Sequence, residues 1–104
     1  MTYNKVLRDI FRAFMRVHVL HHAAHEPVFG LAMIEELGRH GYAVSPGTLY
    51  PLLHSLEQSG YLRSYKEIAG GKLRRNYRAT AKGRRLLAKV KGNIRELSAE
   101  VMED

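Results

Sequence analysis

Apolar side chains recur at helical spacing through the first quarter of the chain. Val6, Leu7, Ile10, Phe11, Phe14, Val17 and Leu20 alternate with Lys5, Arg8, Asp9, Arg12 and Arg16. This pattern predicts an amphipathic helix over 3–24. It should end near Glu26-Pro27, because the residue before a proline is pushed out of the helical region. A second helix is expected from about Phe29 to His40, burying Leu31, Ile34 and Leu37 and leaving Glu35, Glu36 and Arg39 in water. Gly41 can take the left-handed conformation that closes it. Ser45-Pro46 then offers an N-cap residue followed by proline at the first helical position, the start of a third helix running to Ser59-Gly60. Two short helices joined this tightly form a helix-turn-helix, whose second helix is the candidate reader of a DNA groove.

After Gly60 the period shifts from helix to strand. Tyr61 to Lys66 and Leu73 to Arg78 read as two short strands joined through Gly70-Gly71, a β-hairpin or wing. Thr80 can cap a last helix whose seam is Gly83, Leu87, Val90, Ile94, Leu97 and Val101, spaced 4, 3, 4, 3 and 4 residues apart. So narrow a seam on so long a helix cannot be buried wholly against a small domain. Self-association through Leu87, Val90, Ile94, Leu97 and Val101 is the expected solution. The fold expected is therefore one domain over 1–104, mainly α with a small β-hairpin (α+β). It is a winged helix-turn-helix over 29–79, flanked by dimerisation helices over 3–24 and 80–104.

Charge sharpens this picture. Of the formal net charge of +7, residues 1–60 contribute nothing, with five Lys/Arg against five Asp/Glu. Residues 61–95 hold twelve Lys/Arg against the single Glu67, and the last nine residues are acidic. Cations interleaved with apolar residues read as a folded surface facing a polyanion rather than a solvated tail. There is no cysteine, so disulfides and thiolate metal sites are excluded. Arg8, Asp9, Arg12 and Arg16 interrupt any secretory core, and no segment reaches the roughly 20 apolar residues that span a bilayer. A cytoplasmic protein with no membrane partner is expected.

On the third helix Leu49, Leu52, Leu53 and Leu56 form one apolar face. The opposite face carries Gly47, Thr48, Tyr50, Pro51, His54, Ser55 and Gln58, small or hydrogen-bonding groups able to approach base edges and phosphates, with Ser45 beside them at the helix start. Pro46, Thr48 and Tyr50 lie near the helix N-terminus, where free amides favour phosphate. Pro51 deletes one helical hydrogen bond, and Gly47, four residues earlier, leaves the backbone room to adjust.

The run Ser45-Pro46-Gly47-Thr48-Leu49-Tyr50-Pro51-Leu52-Leu53-His54-Ser55-Leu56-Glu57, followed by Ser59-Gly60-Tyr61-Leu62, resembles the recognition-helix signature of the PadR family of transcriptional regulators. Gly71-Lys72 through Arg75, then Tyr77 to Gly83, resembles its wing and the start of its last helix. The resemblance implies a dimeric repressor that places two recognition helices in successive major grooves of a pseudo-palindromic operator and is released by an effector. By position it implies DNA contacts from Thr48, Tyr50 and His54 and wing cations at Lys72, Arg74 and Arg75, with Tyr77 in the core. Phe29-Gly30-Leu31-Ala32 departs from the family, where many members have a histidine or tyrosine, a glycine and a tyrosine. The single short C-terminal helix resembles the smaller subgroup of that family.

His18, His21, His22 and His25 form a run whose members pair at i, i+4, the spacing of a helical metal chelate. One helix cannot wrap a tetrahedral ion, so a zinc-class site would need a further ligand such as Glu26, His40 or a group from a second subunit. This makes a metal-responsive repressor one alternative; histidines that merely cap or pack near a helix end are the other reading of the run. The resemblance to the PadR family also leaves an aromatic effector open, with Tyr3, Phe11 and Phe14 lining its cavity, although aromatic residues at helical spacing commonly belong to a core. The sequence lacks a cysteine nucleophile, a phosphate loop, a metalloprotease motif and a recognisable serine constellation, so no enzyme is expected. A winged-helix module for protein interaction would keep the fold without needing the basic wing.

Overall fold

The computed structural model describes residues 2–103, with side chains from Asn4 onward. Seven elements follow one another: α1 (Thr2–His25), β1 (Val28–Phe29), α2 (Gly30–Arg39), α3 (Pro46–Gln58), β2 (Leu62–Ala69), β3 (Lys72–Ala79) and α4 (Ala81–Val101). The strands form an antiparallel sheet in the order β1-β3-β2. The order of elements matches the expected winged helix-turn-helix, with one addition. Val28 and Phe29, too few residues to show strand alternation, follow Pro27 in extended conformation and pair with Tyr77 and Asn76 on the inner edge of the wing. The two wing strands are also longer than their apolar alternation suggested. Their tips, Ile68 opposite Leu73 and Ala69 opposite Lys72, are held by the ladder and by a two-glycine turn in which Gly70 and Gly71 both have positive φ.

The core gathers around α3. Leu49, Leu52, Leu53 and Leu56 are all buried, meeting Met15, Val19, Leu20 and Ala23 of α1, Met33 and Leu37 of α2, Leu62, Tyr77 and Ala79 of the sheet, and Leu87 of α4. Each fully buried leucine contributes about 1.5–3 kcal/mol. One expectation, for α2, is corrected here. On α2 the inward positions are Gly30, Met33 and Leu37, whereas Leu31 is 62% exposed and Ile34 only partly buried. The apolar period fits more than one arc of α2, and packing against the core selects the one through Met33 and Leu37. On α1 the core face is carried by Met15, Val19, Leu20 and Ala23, while Val6, Ile10, Phe11 and Phe14 stay exposed. The buried face of α1 lies in its C-terminal half; its N-terminal half sets Phe11 against Tyr42 but leaves Val6 and Ile10 exposed, as the C-terminal half of α4 leaves Ile94, Leu97 and Val101.

Backbone closures set the angles between elements. Both α2 and α3 end in a glycine with positive φ, Gly41 and Gly60, followed by an amide that reaches back to the helix: Tyr42 N–H to Leu37 O and Tyr61 N–H to Leu56 O, each 2.9 Å. At the start of α4 Thr80 does what its sequence position predicted. Its hydroxyl oxygen accepts from the Gly83 amide at 3.0 Å, and the hydroxyl donates to the Gly60 carbonyl at 2.6 Å. Ser45, by contrast, occupies the N-cap position of α3 without capping; its hydroxyl donates to Thr48 Oγ1 at 3.5 Å.

Gly83 lies directly against the backbone carbonyl of Tyr61, where any side chain would collide with an atom that cannot move aside. Gly92, on the same helix, has open space around it. Gly83→Ala should therefore destabilise the fold by about 1–3 kcal/mol through overpacking, despite alanine's better helix propensity. Gly92→Ala should be neutral or stabilising by up to about 1 kcal/mol. Urea denaturation of the pair checks both, and equal midpoints would show that α4 does not depend on this close approach.

Candidate nucleic-acid interface

With its leucines inward, α3 presents Pro46, Gly47, Pro51, His54, Ser55 and Gln58 to solvent, and Thr48 half-buried at its first turn. Pro51 sits in an unbroken helix, so the Gly47 carbonyl receives no amide from it. Arg12 and Arg16 of α1 flank a shallow groove against Gly47, Thr48, Pro51 and Leu52, which puts two cations beside the N-terminal turn of α3. In the sequence pattern these arginines belong only to the polar face of an N-terminal helix. Tyr50 differs from its neighbours. Its phenol ring packs on Gly30 at the start of α2, so closely that a Cβ there would overlap the ring. Tyr50 therefore holds the two helices of the helix-turn-helix together, and its ring is committed to that contact.

The wing is joined to α3 by one carboxylate. Glu57 Oε2 accepts from the Ser64 amide at 2.9 Å and from the Ser64 hydroxyl at 2.7 Å, and Arg75 Nη1 donates to Ser64 Oγ at 2.9 Å. Strand alternation puts Leu62, Ser64 and Lys66 on one face of β2, opposite Ala79, Tyr77 and Arg75 of β3. Lys66 and Arg75 thus form a cross-strand pair on the face turned toward α3. Like charges directly opposite one another are unfavourable in isolation, an arrangement suited to a polyanion lying across them. Arg63 and Arg78 make a second such pair on the other face.

Of the three predicted wing cations, Lys72 is exposed beside the turn and Arg75 belongs to the α3-facing pair. Arg74 is on the opposite face, where it donates twice to Glu67 Oε1, at 3.3 and 3.2 Å, and lies 3.9 Å from the centroid of the Phe29 ring. These contacts hold it within its own chain. Tyr77 is buried as expected, and burial, reinforced by the Glu57 charge, raises its hydroxyl pKa. Lys66 and Ser64 carry no mark of a site in the sequence, and Glu57 enters it only as the end of the recognition-helix signature. Pairing register between strands is the signal that would have found them, and it is set by the turn rather than by any one residue.

The four histidines separate. His18 and His22 face α2, where His40 and Glu36 meet them. Arg39 and His40 hydrogen-bond Glu36 and hold its carboxyl pKa down to about 2. His25 instead bonds the His21 carbonyl through Nδ1 at 2.8 Å, and His21 lines the groove between α1 and α4. Burial, then the neighbouring His40 and His22, lowers the His18 pKa. That α1–α4 groove, about 710 Å³ and largely apolar, includes Phe14, Val17, Leu87, Val90, Ile94, Leu97 and Val101. Phe11 packs its ring edge-on against Tyr42 instead, and the Tyr3 side chain lies outside the described residues.

The fold and this surface define a winged helix-turn-helix transcriptional regulator. The chain belongs to the transcriptional regulator PadR-like family, whose pattern it matches over residues 19–89. It is 49% identical over 96 residues to the transcriptional regulator Rv3488 of Mycobacterium tuberculosis, an alignment covering 92% of this chain and 90% of that one. A PadR family transcriptional regulator from Eggerthella lenta superposes with a TM-score of 0.78 at 32% identity, covering 97% of this chain and 93% of that one. A PadR-like transcriptional regulator from Bacillus cereus does so with a TM-score of 0.82 at 25% identity, covering 89% and 92%. Among the described residues no helix is long and apolar enough to cross a membrane.

Removing the carboxylate that joins wing to α3 leaves a part-buried amide and hydroxyl without their acceptor. Glu57→Ala should cost about 1–3 kcal/mol in urea denaturation, and a double-mutant cycle with Ser64→Ala should show coupling above about 0.5 kcal/mol. Additive effects would show that the wing is positioned by the sheet alone.

Proposed function

We propose that this chain is a repressor that binds a pseudo-palindromic DNA operator as a homodimer and is released by an effector. The observation that carries the reading is the juxtaposition of two surfaces held in one geometry by Glu57. One is the uncharged outer face of α3, with Thr48, His54, Ser55 and Gln58; the other is the Lys66–Arg75 pair of the wing. Small hydrogen-bonding groups suit base edges in a major groove, and the flanking cations of the wing and of Arg12 and Arg16 suit phosphates on either side. Ser45, exposed at the start of α3 and within 3.5 Å of the Thr48 hydroxyl, suits a phosphate at the helix N-terminus.

Dimerisation is supported by the surface the single chain leaves uncovered. Val6, Ile10 and Phe14 of α1 and Ile94, Leu97 and Val101 of α4 are each at least 44% exposed, too much apolar surface for a monomer to leave in water. A second copy presenting the same two helices covers it by two-fold symmetry and sets two α3 helices for half-sites about one turn of DNA apart. The groove between α1 and α4 then lies at the subunit boundary, where an aromatic effector would sit.

Fluorescence anisotropy on the chain's own upstream DNA and on a scrambled duplex, at several salt concentrations, tests the reading. Selective binding is expected. Its log-log salt slope should flatten in Lys66→Ala/Arg75→Ala by roughly one unit for each phosphate that the variant no longer neutralises. Arg74→Ala should change it much less. Equal weak binding to both duplexes would favour a protein-interaction module. Leu97→Glu should yield a monomer by sedimentation and abolish selective binding; a dimer that persists would place the interface elsewhere.

A further inference from the structure

The histidine run acquires a partner that the first helix alone does not supply. His18 and His22 are one turn apart on α1, and Glu36 and His40 are one turn apart at the end of α2. These two i, i+4 pairs face each other. One nitrogen from each of His18, His22 and His40 lies within 4.8 Å of the others. Glu36 Oε2 is 2.8 Å from His40 Nε2 and 3.3 Å from His22 Nε2, so two imidazoles already converge on one carboxylate oxygen.

We propose that His18, His22, His40 and Glu36 form a binding site for a divalent transition-metal ion of the zinc class, clamping α1 to the C-terminal end of α2. Three imidazoles and one carboxylate, with no thiolate, form a donor set that zinc accepts in tetrahedral geometry. Bonds of about 2.0–2.1 Å put tetrahedral ligand atoms roughly 3.3 Å apart, so the three nitrogens must draw in from their present spacing. His40 can make that movement. It follows the last turn of α2 and is 44% exposed; the movement loosens its stacking on His18, at 4.6 Å between ring centres, and exchanges its 2.8 Å bond to Glu36 Oε2 for a shared ion. Glu36 is already oriented, because Arg39 Nη2 donates to its other oxygen at 2.7 Å and leaves Oε2 for the ion. The second pair in the run is unsuited: the Nδ1 of His25 is committed to the His21 carbonyl, and His21 faces α4.

The site uses no residue of α3 or of the wing and does not depend on their binding DNA. An ion bound only by the folded chain stabilises it by mass action, and here it would tie α1 to α2 directly. The test is titration of the tag-free, chelator-stripped protein with Co²⁺ alone, read by the visible ligand-field bands of a tetrahedral site. Competition by Zn²⁺ gives the affinity. One equivalent per chain is expected, with affinity falling about tenfold or more in His22→Ala and in His40→Ala and unchanged in His25→Ala. Urea midpoints measured in chelator separate ligand loss from misfolding, and exposed His40 should leave the midpoint unaltered. No saturable Co²⁺ binding, binding unaffected by His40→Ala, or binding abolished by His25→Ala would overturn the assignment.

Discussion

The molecule is built on burial of the leucine face of α3. Leu49, Leu52, Leu53 and Leu56 sit where α1, α2, the sheet and α4 all meet, and together they form the middle of the core. Turning that face inward turns His54, Ser55 and Gln58 outward. The hydrophobic effect that folds the domain therefore also aims the surface proposed to read DNA. Because α3 is anchored from every inner direction, its outer face needs no contacts of its own to be rigid, and its small polar side chains remain free for a partner.

Rigidity is then passed outward through a few polar joints. The Thr80 hydroxyl links the end of α3 to the start of α4, and Gly83 lets α4 approach the Tyr61 carbonyl. Glu57 passes the position of α3 to the wing through Ser64 and Arg75. The wing has little apolar burial beyond Leu62, Tyr77 and Ala79, so its outer half relies on its ladder and on this bond for its direction. A cation's use depends on the same geometry. Arg74 and Arg75 are chain neighbours, yet strand alternation sends one to Glu67 and Phe29 and the other toward α3.

Two surfaces remain unsatisfied within one chain. The distal halves of α1 and α4 expose apolar residues that a second copy can cover, and the α1–α2 junction gathers three imidazoles and a carboxylate that an ion can join. His18 belongs to both neighbourhoods, being a member of the histidine cluster and a wall of the α1–α4 groove. Events at the ion site and at the groove are thus physically adjacent.

The four helices, the hairpin, the glycine closure at Gly41, the Thr80 cap and the family were all legible in the sequence, because they rest on local periodicity, short motifs and backbone preferences that act over a few residues. The leucine face of α3 and the seam of α4 were legible for the same reason. Which part of each stripe is core was settled only by packing. Val6, Ile10 and Phe14 satisfy the same period as Val17 and Leu20, but the domain is too short to cover all of α1. Packing likewise turned Met33 rather than Leu31 inward, laid Tyr50 on Gly30, set Lys66 opposite Arg75, and brought His18 and His22 to His40 and Glu36 while leaving His21 and His25 apart. Each of these depends on residues far apart in the chain meeting in space, through helix rotation and strand register that no local pattern encodes.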